Sequence, residues 1–163
     1  MKLDILAIMA HPDDAELSCA GTLISHQQKG LKTGIIDLTR GELGTRGTPE
    51  LRLKEAENAV HIMKLSVREN LMLKDGFFRN DEYHQTEVIK IVRKYKPEIV
   101  ITNAITDRHN DHGKGAALVK DACFLSGLRK ISTTNEEAEQ DAWRPKHVYH
   151  CIQNNYIKPD FVI

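Results

Sequence analysis

The chain has 163 residues, enough for one domain with a real core. Lys plus Arg equals Asp plus Glu at 23 each, and without a basic block this argues against nucleic acid or an anionic membrane as the main partner. No apolar stretch approaches the roughly 20 residues of a bilayer span, and the N-terminal MKLDILAIMAHPDD has no signal-peptide pattern. Cys19, Cys123 and Cys151 are odd in number and form no CxxC pair, which suits core residues in a reducing compartment. The expected location is the cytoplasm.

Leu3 to Met9 (LDILAIM) predicts a buried strand, and Glu16 to Lys29 predicts the helix behind it. Between them stands His11-Pro12-Asp13-Asp14, an imidazole and two carboxylates on a strand-to-helix turn, where α/β sheets bind ligands. Gly30 ends the helix, and Leu31 to Leu38 predicts strand two. Thr48-Pro49 is a helix start, a capping hydroxyl followed by Pro at the first helical position. The helix Glu50 to Lys64 places Leu53, Ala56, Val60 and Met63 at helical spacing. Asn70 to Leu73 predicts a short third strand, and a loop from Asp75 to Asn80 leads to a helix ending near Tyr95. Pro97 separates that helix from strand four, Glu98 to Asn103. His109-Asn110-Asp111-His112 follows that strand, and Lys114 to Leu128 predicts helix four. Ser132 to Arg144 is polar and acidic and predicts an exposed insertion, after which His147 to Gln153 reads as strand five. Phe161-Val162-Ile163 begins another apolar run, so a further C-terminal segment is expected beyond this chain.

Repeated strand–helix units without internal repeats predict one α/β domain over residues 1–163, Rossmann-like, with three α/β/α layers around a mainly parallel sheet. In such sheets strands one and four are neighbours where the strand order reverses. The topology therefore brings the two His/Asp loops together.

A catalytic zinc takes three protein ligands from His and carboxylate and leaves a position for water. His11, Asp14 and His112 can supply that set, leaving Asp13 free as a general base for the water. His109, three residues before His112, can stabilise an oxyanion as an imidazolium, with Asp111 holding its ring. These parts make a hydrolase of a carbonyl compound, most naturally an amide. A turn with an N-cap also explains His-Pro-Asp-Asp taken alone, since Asp favours both positions; two such clusters on strand ends argue against it. His26, His61 and His84 are expected to be solvated, and His147 and His150 to be structural.

Two other classes compete. A dinucleotide-binding module would use Asp37 as its ribose-binding acid, but the first turn reads Ala-His-Pro-Asp-Asp-Ala where G-x-G-x-x-G is required. A binding protein with a purely structural metal needs a fourth protein ligand, and none is obvious.

Ala10-His11-Pro12-Asp13-Asp14-Ala15-Glu16 with Gly21-Thr22-Leu23 resembles the signature of the LmbE/PIG-L family of zinc-dependent N-acetylglucosaminyl deacetylases. The resemblance continues through Asp37 to Gly44, Leu51-Arg52 with Glu55-Ala56, Asp75-Gly76 and His109 to His112, and so covers essentially the whole chain. Ile36 to Thr39, Thr48 to Arg52, Asp107-Arg108-His109 and Lys158 to Phe161 are similar to the bacillithiol-biosynthesis subgroup, which deacetylates N-acetylglucosaminyl malate. The resemblance implies His11, Asp14 and His112 as Zn2+ ligands, Asp13 as base, and His109 with Asp111 beside it as the oxyanion or acid group. It implies Arg52 as a sugar-binding arginine and Asp75 as a further substrate contact. Arg108, fixed next to His109, is the candidate for aglycone carboxylates. A small N-acetylglucosaminyl substrate and a homo-oligomer follow as expectations, as does a missing C-terminal segment that helps wall the pocket. Another N-acetylglucosamine conjugate or an oligosaccharide is the alternative substrate.

Overall fold

The computed structural model describes all of residues 1–163. Strand β1 (Ile5–Met9) leads into helix α1 (Asp14–Gln28), and β2 (Thr33–Thr39) into α2 (Pro49–Met63). They are followed by β3 (Val67–Leu73), α3 (Glu82–Tyr95), β4 (Ile99–Thr102) and α4 (Asn110–Leu125). A small hairpin, β5 (Thr134–Asn135) with β6 (Ala138–Glu139), precedes β7 (His147–His150). The main sheet has five strands in the order β3-β2-β1-β4-β7, every pair parallel. Strand order reverses between β1 and β4, which pair from Ile5 opposite Ile99 to Ile8 opposite Thr102. No helix is long and apolar enough to cross a membrane.

Side-chain alternation along the strands divides the core into two layers. Leu6, Ile8, Ile36, Leu38 and Val100 point to the face covered by α3 and α4, where Val88, Val92, Leu118 and Val119 meet them. Ile5, Ala7, Met9, Ile35 and Ile101 point the other way, toward Ala15, Cys19 and Leu23 of α1 and Met63 of α2. Because both faces are covered, β1 and β2 are buried at every residue. The helix ends follow local chemistry. Thr48 Oγ1 accepts from Leu51 N–H at 3.2 Å with Pro49 at the first helical position, and Asp81 Oδ1 accepts from His84 N–H at 3.1 Å. Lys96 turns into the left-handed region at the end of α3, and Pro97 stops the helix.

Several boundaries differ from the sequence expectation. α1 starts at Asp14 and α4 at Asn110, so Asp14, Asp111 and His112 sit in first helical turns rather than in loops. β3 starts at Val67, three residues before the apolar run, because Arg68 and Glu69 are strand residues satisfied by ion pairs. The expected insertion is only partly exposed: Thr133 is buried, and Trp143 packs on the core and donates to Pro97 O at 2.8 Å. Phe161 to Ile163 form no strand, although Phe161 meets Tyr149 edge-on at 5.1 Å.

Candidate metal centre and active-site cleft

The loops after β1 and β4 are tied together by one buried amide. Asn103 Oδ1 accepts from Ala10 N–H at 2.8 Å, and its Nδ2 donates to Asp14 Oδ2 at 3.0 Å. His11 N–H also donates to Asp14 Oδ2, at 3.1 Å. Asp14 is thereby fixed between two imidazoles: His11 Nδ1 lies 3.5 Å from its Oδ2, and His112 Nε2 lies 3.1 Å from its Oδ1. The other ring nitrogens face further carboxylates. His11 Nε2 is 3.1 Å from Asp75 Oδ1 and 3.5 Å from Asp111 Oδ2, and His112 Nδ1 is 3.3 Å from Asp107 Oδ1.

These residues fit a divalent cation. Zinc–ligand bonds of about 2.0–2.2 Å put tetrahedral donors about 3.3–3.6 Å apart, close to the spacings around Asp14. A carboxylate behind each histidine is the usual second layer of a metal site, fixing the tautomer and aiming the free nitrogen. The negative charge that converges here also calls for a cation. In the metal-free chain, burial opposes the charge on His11, but Asp14, Asp75 and Asp111 outweigh it and raise its pKa to about 9. His112 is raised in the same way, with Asp14 and Asp107 overcoming burial. Burial works against ionised Asp14 too, yet His11, His112 and Asn103 hold it well below the usual carboxylate range. Nitrogens of His11, His109 and His112 lie within 4.8 Å of one another, as do donors of His11, Asp75 and Asp111; Asp14 is in neither group, its two oxygens facing His11 and His112 separately.

Asp13 stands at the N-cap of α1 with extended backbone, yet its side chain accepts no capping hydrogen bond. A turn-and-cap role therefore does not explain it. Its carboxyl is raised by burial and by Asp14, with Arg52 and His11 opposing. His109 caps α4, its Nδ1 accepting from Asp111 N–H at 3.3 Å. That bond places the ring proton on Nε2. Its ring lies 4.8 Å from that of His11 and 4.9 Å from that of His112.

One expected role is revised by the contacts. The Asp111 carboxylate does not hold the His109 ring; it faces His11, accepts from Gly76 N–H at 2.8 Å and pairs with Lys114 Nζ at 2.6 Å. Asp75 is buried with both oxygens engaged, one on His11 and one on Leu43 N–H at 3.0 Å. It supports a histidine, and it also lines the cleft.

Arg52 and Arg108 line the same cleft, of about 620 Å³, in which only Leu17 and Leu43 among 16 lining residues are hydrophobic. Gly41 and Gly44 seat the Arg52 guanidinium: a Cβ at Gly44 would lie 2.8 Å from Nη2, and Gly41 has a φ of +63°. Arg52 Nη1 lies 3.8 Å from Asp13 Oδ2. Asp37 is not available to a ribose, because Arg68 binds it bidentately at 2.8 and 3.0 Å.

Asp107, Asn103, Lys114 and Glu42 belong to this network but were not singled out from sequence for it. Asn103 carried the best available signal, a polar residue closing an apolar strand. Glu42, which accepts from Asp75 N–H at 2.9 Å, and Asp107 fall in stretches that carry the family resemblance, but that resemblance gave them no role.

Comparison with known proteins gives the family. The family model for PIG-L, GlcNAc-PI de-N-acetylase, matches residues 6–123. An uncharacterised deacetylase of Escherichia coli is 32% identical over 66% of this chain and 61% of its own length. A probable N-acetyl-alpha-D-glucosaminyl L-malate deacetylase of Bacillus subtilis is 31% identical over 95% of this chain and 70% of its own. The crystal structure of a conserved protein from Thermus thermophilus superposes with a TM-score of 0.90 at 38% identity, over 98% of this chain and 70% of that one. This chain thus spans 61% and 70% of the lengths of these two curated relatives. With a matching family model over most of its length and the motif residues gathered at one cleft, the chain belongs to the PIG-L (LmbE-like) de-N-acetylase family.

Proposed function

We propose that this protein is a zinc-dependent deacetylase that removes acetate from an N-acetylglucosaminyl conjugate, with N-acetylglucosaminyl malate as the preferred substrate. The observation that carries the reading is the Asp14 carboxylate held between His11 and His112, with the uncapped Asp13 beside it. The name of the Bacillus subtilis relative supports the substrate, as does a polar cleft flanked by two arginines. Unpaired Cys19, Cys123 and Cys151 suit a cytoplasmic setting.

His11, Asp14 and His112 would hold the metal, which supplies Lewis acidity toward the acetamide carbonyl and brings the pKa of water to about 7. Asp13 accepts the water proton as the water oxygen bonds to the carbonyl carbon. His109 Nε2–H donates to the oxygen that becomes negative. The C–N bond then breaks as the nitrogen takes the proton back from Asp13, leaving acetate and a free amino sugar. Arg52 orients the sugar, and Arg108 meets the carboxylates of the aglycone.

Acetate release is the direct test. Zinc-loaded protein should act on N-acetylglucosaminyl malate faster than on N-acetylglucosamine or diacetylchitobiose, and Arg108→Ala should lose about 10- to 100-fold in kcat/KM on the malate conjugate alone. Equal rates on all three substrates would remove the malate assignment, and no acetate from any of them would remove the deacetylase.

A further inference from the structure

Asp107 lies between the loop that carries His109 and His112 and the segment that follows β7. Its side chain has no exposed surface. Oδ1 accepts from His109 N–H at 2.9 Å and stands 3.3 Å from His112 Nδ1. Oδ2 accepts from Asn154 N–H at 3.1 Å, and Asn154 Nδ2 approaches both oxygens at 3.3 Å. His112 Nδ1 is itself buried and has no hydrogen-bond partner, so Asp107 is the acid placed to receive it.

We propose that Asp107 is the positioning residue of His112, and that Asn154 holds it in place, so the segment after β7 sets how firmly the site grips its metal. The proposal rests on reading His11, Asp14 and His112 as metal ligands. A carboxylate behind Nδ1 keeps the ring proton there and leaves the Nε2 lone pair on the Asp14 side. Asn154 supplies main-chain and side-chain N–H donors to a carboxylate that would otherwise be enclosed with too few partners. Asp107 also bonds the backbone at His109, so a purely structural task in the turn has to be separated from this one.

Asparagine makes the separation, because it serves such a turn as well as aspartate does but offers the imidazole no charge. Zinc affinity would be measured on metal-stripped protein by competition with a chromogenic chelator, alongside the thermal midpoint of the metal-free form. Asp107→Asn should weaken zinc binding about 10- to 100-fold with the midpoint little changed. Asn154→Ala, at an exposed position where folding is not at risk, should weaken it in the same direction but less, since the main-chain contact remains. The double variant should bind no worse than Asp107→Asn alone, because Asn154 acts through Asp107. Wild-type affinity in Asp107→Asn, or additive losses in the double variant, would overturn the proposal. A wild-type chain that takes up no zinc would fail the metal reading itself and be recognised as that different result.

Discussion

The Asp13 side chain is 53% exposed and caps nothing, whereas the Asp14 side chain next to it is 6% exposed and surrounded by His11, His112 and Asn103. On the proposed mechanism these surroundings suit the first to proton transfer and the second to metal binding. Asp13→Asn should keep stoichiometric zinc while kcat falls about 10²- to 10⁴-fold, the usual loss for a general base. Asp14→Asn should instead lose zinc in the chelator competition. The reverse pattern would exchange the two roles. At this scale the sequence was legible where a residue sits on a strand end beside others of its kind, as His11, Asp14 and His112 do. It was not legible where the role depends on a side chain's direction. Asp75 and Asp111 each face His11 with one oxygen while Leu43 N–H and Lys114 Nζ hold the other, and no spacing rule contains those contacts.

Both site helices begin at the cleft, and α4 is also anchored at its far end. Its last turn carries no basic residue. Arg93 of α3 supplies the missing cation, donating to Ser126 O at 3.0 Å, Leu128 O at 2.9 Å, Ile131 O at 2.7 Å and Thr133 Oγ1 at 2.8 Å. These acceptors lie at and just beyond the C-terminal end of α4, where the helix dipole is negative, and Ser126 O and Leu128 O are shared with Trp143 N–H and Ile131 N–H. Arg93→Leu should cost about 1–3 kcal/mol in urea unfolding, because Ile131 O and Thr133 Oγ1 lose their donor while Ser126 O and Leu128 O keep Trp143 N–H and Ile131 N–H. A loss under about 1 kcal/mol would mean that water replaces the guanidinium. Helix periodicity had placed all four helices, but their N-termini only to within a few residues. Aspartate and histidine in a first turn read as loop chemistry until the backbone is seen. β3 was recognised only in its apolar half, because ion pairing rather than burial of hydrocarbon accounts for Arg68 and Glu69.

Across the whole molecule, Arg68 joins three elements: from β3 it binds Asp37 on β2 in two hydrogen bonds and Glu16 in the first turns of α1. The Arg68 and Asp37 side chains are 6% and 4% exposed, and Glu16 Oε2 is buried without a partner. Arg68→Met would strand two carboxylates, and a loss of about 3–5 kcal/mol is expected on the denaturant curve. Stability equal to wild type would show that they simply take up protons. The parallel order that puts β1 beside β4 was legible, since alternating strands and helices admit few other arrangements. The hairpin after α4 was not, because two-residue strands of polar residues carry no period. The Asn103 bridge has a consequence for biogenesis. It links residues 89 positions apart, so a nascent chain carries His11 and Asp14 long before the strand that completes their surroundings has been made. A pairing so distant in sequence forms late and slowly. If His11, Asp14 and His112 hold zinc as proposed, the first half of the protein would emerge from the ribosome with an incomplete ligand set, and full zinc uptake would report that β1 and β4 have found each other.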